Sequence, residues 1–209
     1  MESRFAHFFR SMPLIGIFRG VEPSEAVAVV DAAVQCGLRI VEVPLNSPQA
    51  LQSIERLAKK FGPAVLVGAG TVTSVAEVLA VAEAGGELIV TPYARGAIVK
   101  QAKQSGLAAM PGALSPTEII EMADCGADAV KIFPAEMAPP AVVKALRAVL
   151  PARLPLVPVG GVDGENMAAY WQAGASGFGL GSALYRRGDS ADTVARNAAA
   201  LVACLQALV

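Results

Sequence analysis

The sequence predicts an α/β protein: one (β/α)8 TIM barrel with an N-terminal helix, residues 1–209 forming a single domain. Short apolar runs alternate with longer segments of helical period along almost the whole chain. The connections are short, and no linker, low-complexity tract or second domain interrupts the alternation. Eight such units favour a closed ring of parallel strands over an open doubly wound sheet. The open alternative also lacks its phosphate turn, because Gly16 and Gly20 do not have the spacing that turn requires.

The predicted strands lie in 13–19, 38–44, 64–70, 87–92, 107–112, 127–134, 154–161 and 176–182. Gly37, Gly62, Gly86, Gly106, Gly126 and the pair Gly174-Ala175 precede most of them, as expected where a helix ends and the chain turns into a strand. Helix starts are visible at Pro23-Ser24-Glu25, Ser47-Pro48, Thr73-Ser74, Ser115-Pro116-Thr117-Glu118 and Asp163-Gly164-Glu165. Their hydroxyls and carboxylates can accept from the first free N–H groups of a helix, and proline suits the first turn.

Hydrophobic residues make up 54% of the chain and charged residues 17%, which excludes a disordered polypeptide. A formal net charge of -1 without basic blocks argues against nucleic acid, and no polybasic stretch suggests a membrane surface. The N-terminal segment carries Glu2 and Arg10 and does not read as a signal peptide, and no run reads as a membrane helix. Cys36, Cys125 and Cys204 have neither zinc nor disulfide spacing, so the expectation is a cytoplasmic protein with reduced core thiols. His7 is the one histidine and falls in the expected N-terminal helix. That removes serine–histidine, cysteine–histidine and multi-histidine metal chemistry, and neither a metal nor a cofactor is expected.

Barrel enzymes place function where strands enter their helices. Here Arg19 closes the first strand, Glu42 lies late in the second, Gly70-Thr71 close the third and Thr91-Pro92 the fourth. Lys131 is late in the sixth, Gly160-Gly161 end the seventh and Gly181-Ser182 the eighth. Side chains alternate along a strand, so Ile40, Glu42 and Pro44 share one face and Ala129, Lys131 and Phe133 another. If Val41, Val43, Val130 and Ile132 face the helices, one carboxylate and one ammonium point into an interior normally filled by branched apolar residues. The structural alternative is a buried salt bridge, a weak stabiliser because desolvation cancels much of the attraction. The chemical alternative is an amine whose pKa is lowered by burial and by Arg19, able to attack a carbonyl, with Glu42 as its proton partner. The glycine-rich ends 157–166 and 177–184 suit a phosphate held by backbone N–H groups and the Ser182 hydroxyl; plain tight turns are the alternative.

The segments EVPLNSP (42–48), GAGTV (68–72), IVTP (89–92), PG (111–112), KIFPAE (131–136), VGGV (159–162) and GLGS (179–182) occur in an order that resembles the class I 2-keto-3-deoxy-6-phospho-sugar-acid aldolases. The likeness runs from Pro13 to about Tyr185. Asn46 stands where the gluconate-type branch carries an arginine, while Arg19 in IFRG (17–20) matches the galactonate-type branch, as does Val159 before the glycine pair. The resemblance implies a Schiff-base aldolase releasing pyruvate and glyceraldehyde 3-phosphate from a galacto-configured phosphorylated 2-keto-3-deoxy sugar acid. Lys131 would be the nucleophile and Glu42 the proton shuttle. Arg19 and Thr71 would hold the carboxylate, Pro92 and Phe133 would wall the iminium, and Gly160, Gly161, Gly181 and Ser182 would hold the phosphate. It further implies a homotrimer. A gluconate- or hydroxyglutarate-type aldolase, a non-covalent barrel isomerase and a phosphate-ligand binder without turnover are the rival readings.

Overall fold

The computed structural model describes residues 3–208. Helix α1 (Arg4–Ser11) precedes β1 (Leu14–Ile17), α2 (Ala26–Gln35), β2 (Ile40–Pro44), α3 (Ala50–Phe61), β3 (Leu66–Gly70), α4 (Val75–Glu83), β4 (Leu88–Val90) and α5 (Gly96–Gln104). The second half contains β5 (Ala108–Met110), β6 (Gly112–Ala113), α6 (Pro116–Asp124), β7 (Val130–Ile132), α7 (Pro140–Val149), β8 (Leu156–Pro158), α8 (Met167–Gln172), β9 (Phe178–Leu180) and α9 (Ala191–Gln206). Every predicted apolar run contains a strand.

All strand pairs are parallel, in a six-stranded sheet ordered β5-β4-β3-β2-β1-β9 and a three-stranded sheet ordered β6-β7-β8. The fifth predicted strand is thus divided at Pro111, which has no N–H to give the ladder. The Pro111 carbonyl still accepts from the Lys131 N–H at 2.9 Å, so the chain bridges the two sheets there. At the opposite margin Val159 pairs with Gly179, and the Ser176 N–H donates to the Leu156 carbonyl at 2.8 Å.

Strand alternation sorts the core into layers. Ile15, Ile17, Ile40, Leu66, Leu88, Val90, Ala129 and Val157 form an inner cluster with Phe133 packed against it. Val41 and Val43 join a cluster with residues of the surrounding helices, and so, separately, do Val130 and Ile132. Two phenylalanines of α1, Phe5 and Phe9, complete the inner cluster with rings 5.3 Å apart. Arg4 anchors this helix through an ion pair with Glu87 and a bond to the Pro63 carbonyl. His7 lies on its exposed face.

Ser74 and Ser115 each form a reciprocal capping box with the glutamate three residues on, Glu77 and Glu118. Ser47 behaves differently from its prediction. Its hydroxyl accepts from the Gly20 N–H at 2.9 Å, and α3 opens after Gln49 with no side-chain cap. Neither does Ser24 cap α2, which begins at Ala26 behind Glu25. Asp163 accepts from the N–H groups of Glu165 and Asn166 in a turn ahead of α8. In the Gly85-Gly86 pair, Gly85 takes the left-handed turn (φ 81°), not Gly86. The three cysteines are free and half-buried, not fully in the core. Among the described residues no helix is long and apolar enough to cross a membrane.

If α1 is a working part of the inner core, Phe5→Ala should cost about 3–5 kcal/mol, the usual loss for a buried phenylalanine. Urea unfolding followed by circular dichroism measures this; a loss under about 1 kcal/mol would show that the helix is dispensable.

Candidate active site

The C-terminal ends of the strands open into a cavity of about 670 Å³. It gathers ten of the residues selected from sequence: Arg19, Thr71, Pro92, Lys131, Phe133, Val159, Gly160, Gly161, Gly181 and Ser182. Glu42 is the exception, because its carboxylate lies behind the lining and packs on Gly70.

Register explains how the two central charges meet. Glu42 sits between Ile17 of β1 and Gly68 of β3, and Lys131 between Gly112 of β6 and Val157 of β8. Both side chains point inward and are almost wholly buried, with 1% and 4% of their residue surface exposed. Among the described residues no ion pair joins them, and Glu42 Oε2 has no hydrogen-bond partner. Their interaction acts through space.

Burial pushes the Glu42 carboxyl up to about 7, despite the opposing charges of Lys131 and Arg19 and a backbone hydrogen bond from Gly70. Burial likewise holds the Lys131 ammonium below its ordinary range; Glu42 works against this and Arg19 reinforces it. Lys131 Nζ also lies 4.2 Å from the centroid of the Phe133 ring, a placement that favours its charged form. The outcome is an amine that releases its proton more readily than a surface lysine, facing a carboxyl that ionises less readily than a surface glutamate.

Gly70 leaves the room for the carboxylate: a Cβ at this position would stand 2.0 Å from Glu42 Oε2. The next residue, Thr71, is held at φ 56°, a costly conformation for a β-branched side chain, so the backbone after β3 is set by its surroundings. Arg19 is exposed at the rim, and its Nη1 donates to Asn46 Oδ1 at 2.8 Å. That bond fixes a guanidinium at the mouth, where it can grip a carboxylate.

After β8, in the cavity wall, Gly160 (φ 107°) and Gly161 (φ 62°) form a turn that other residues rarely adopt. Glu136 packs against it, with Oε2 2.5 Å from where a Gly160 Cβ would be. Glu136, Tyr185, Arg186 and Arg187 also line the cavity and were not selected from sequence. The arginine pair follows the last strand beyond the glycine-serine turn, and its nearness to that turn was the available signal.

A parallel α/β fold with a buried lysine and glutamate near the strand ends has the groups that chemistry between an amine and a carbonyl requires. The family comparison agrees: a profile described as "Aldolase: KDPG and KHG aldolase" matches residues 6–198, and the chain belongs to this family. It is 44% identical over 191 residues, 91% of the chain and 93% of the relative, to the 2-dehydro-3-deoxy-6-phosphogalactonate aldolase of Escherichia coli (strain K12). It is 30% identical over 160 residues to the KHG/KDPG aldolase of the same organism, covering 76% of the chain and 74% of that relative. A solved structure described as native KDPGal superposes with a TM-score of 0.93 at 43% identity, covering 94% of this chain and 96% of the other.

A base is active when ionised, so turnover should fall as pH drops below about 7 if Glu42 carries the proton. Glu42→Gln should remove most turnover together with this acidic limb. Stability tests the same shift independently. Between its ordinary value of 4.5 and about 7 the folded protein retains a proton that the unfolded chain has released, so stability declines as pH rises through that window. Glu42→Gln should flatten that part of the melting-temperature profile; an unchanged slope would place its origin elsewhere.

Proposed function

We propose that the chain is a Schiff-base aldolase cleaving 2-dehydro-3-deoxy-6-phosphogalactonate to pyruvate and D-glyceraldehyde 3-phosphate. The observation that carries the proposal is the buried Lys131 amine, its basicity lowered, electrostatically coupled to Glu42 and lining one cavity with the Arg19 guanidinium and the glycine turns after β8 and β9. The relatives' names supply the substrate class, and Arg19 with Asn46 supports the galacto-type arrangement.

Lys131 Nζ attacks the C2 ketone, and loss of water gives an iminium ion that withdraws electrons from C3. Glu42 takes the C4 hydroxyl proton, the C3–C4 bond breaks into the iminium, and the aldehyde leaves. The enamine is reprotonated at C3 by Glu42, through water, and hydrolysis returns pyruvate and the free amine. The orphaned Oε2 of Glu42 supports this role, since a buried oxygen without a partner is ready to accept a proton from substrate or water. Arg19 and Thr71 hold the C1 carboxylate, Pro92 and Phe133 wall the iminium, and the turns at Gly160-Gly161 and Gly181-Ser182 receive the phosphate.

Two structural readings accompany this function. The two sheets form one closed (β/α)8 barrel, supported by the Pro111 link at one margin and the Val159–Gly179 bridge at the other. The chain works as a homotrimer, which would cover exposed apolar side chains such as Leu79, Ile120, Met137 and Val149.

Reduction with borohydride in the presence of pyruvate should leave a stable adduct on Lys131 by peptide mass spectrometry. An active enzyme with Lys131 unmodified would overturn the Schiff-base mechanism. Of the C4-epimeric substrates, the galacto form should release pyruvate faster; preference for the gluco form would move the chain to the other branch.

A further inference from the structure

We propose that Arg186 binds the substrate's phosphate, supplying the positive charge that the glycine turns lack. The inference rests on the reading that Gly160, Gly161, Gly181 and Ser182 receive that phosphate.

A phosphate monoester carries nearly two negative charges at neutral pH, whereas backbone N–H groups and a hydroxyl offer dipoles and no charge. Among the described residues four cations line the cavity: Arg19, Lys131, Arg186 and Arg187. The first two are committed to the carboxylate and the ketone. Glu136, packed on the Gly160-Gly161 turn, adds a carboxylate beside the proposed phosphate site and deepens the need for a cation there.

Arg186 and Arg187 have different surroundings. Arg187 donates through Nη2 to Glu22 Oε1 at 2.7 Å, and its stem lies over Gly20, so its charge is balanced and it ties the segment after β9 to the loop after β1. Tyr185 adds a second tie, its hydroxyl donating to Glu25 Oε1 at 2.9 Å. Between these anchors the backbone of Arg186 is fixed by the Asp189 carboxylate, which accepts its N–H at 2.8 Å. The Arg186 side chain makes no ion pair among the described residues. Its Nε donates to the Ser182 carbonyl at 3.2 Å, which holds the guanidinium beside the proposed phosphate turn. An arginine on a pinned backbone, next to an anion-binding turn and without a carboxylate partner, is preorganised for a phosphate.

Wild type, Arg186→Ala and Arg186→Lys are assayed for pyruvate release from 2-dehydro-3-deoxygalactonate with and without its 6-phosphate, and with inorganic phosphate as competitive inhibitor. Arg186→Ala should raise KM for the phosphorylated substrate on the order of tenfold to a hundredfold, leave kcat within about twofold and weaken phosphate inhibition in parallel. The unphosphorylated substrate and borohydride trapping of pyruvate should respond as in wild type, and Arg186→Lys should recover part of the loss. Equal effects on both substrates, or none on either, in a wild type that prefers the phosphate ester would overturn the role of Arg186 and leave the phosphate turns standing. A wild type indifferent to the 6-phosphate would overturn both. Should the alanine variant misfold, the lysine variant carries the test: an unchanged KM and unchanged phosphate inhibition with lysine support a charge role only if Arg186→Gln shows the loss, and a glutamine variant equal to wild type overturns it.

Discussion

Two opposite charges are buried in one apolar interior without touching. Removing a carboxylate and an ammonium from water is costly, and a contact ion pair would recover part of that cost. Glu42 and Lys131 forgo it and interact at longer range, with one carboxylate oxygen left unpartnered. The cost is held as chemical potential: a carboxyl reluctant to ionise and an amine reluctant to stay protonated. Much of the surrounding structure maintains that separation. Gly70 yields the space for the carboxylate, Phe133 presents its ring to the ammonium, and Arg19 biases both groups from the rim.

The fold holds this arrangement from both ends. Below the charges, α1 fills the inner core with Phe5 and Phe9. Above them the loops are cross-tied: Gly20 to Ser47, Arg19 to Asn46, Arg187 to Glu22 and Tyr185 to Glu25. Three of these four bonds join side chains that are distant in sequence, so the loops after β1, β2 and β9 behave as one rim. A cavity proposed to grip a substrate at both its carboxylate and its phosphate needs such a rim, because a displacement of about 1 Å between the two grips would misplace the bond to be broken.

The same ties explain why Ser47 does not cap a helix. A serine before a proline has the form of a helix cap, but its hydroxyl is used by Gly20 from another strand end. Ser74 and Ser115 have a glutamate three residues on, and there the local signal held. Local chemistry prevailed where both partners sit in one turn, and tertiary chemistry prevailed where an N–H from elsewhere was available.

The sequence by itself determined the alternation of strands and helices, the inward aim of Glu42 and Lys131, and the clustering of glycines at the last strand ends. Each follows from a short repeat: a strand alternates faces every residue, and a polar residue in an apolar run declares itself. Only the tertiary structure decided that Glu42 stands behind the cavity wall, that the fifth strand is divided at Pro111, that Asn46 holds Arg19, and that Arg186 and Arg187 enter the site with Glu136. These depend on distances between segments remote in sequence and on competition for hydrogen bonds between loops, neither of which has a period along the chain.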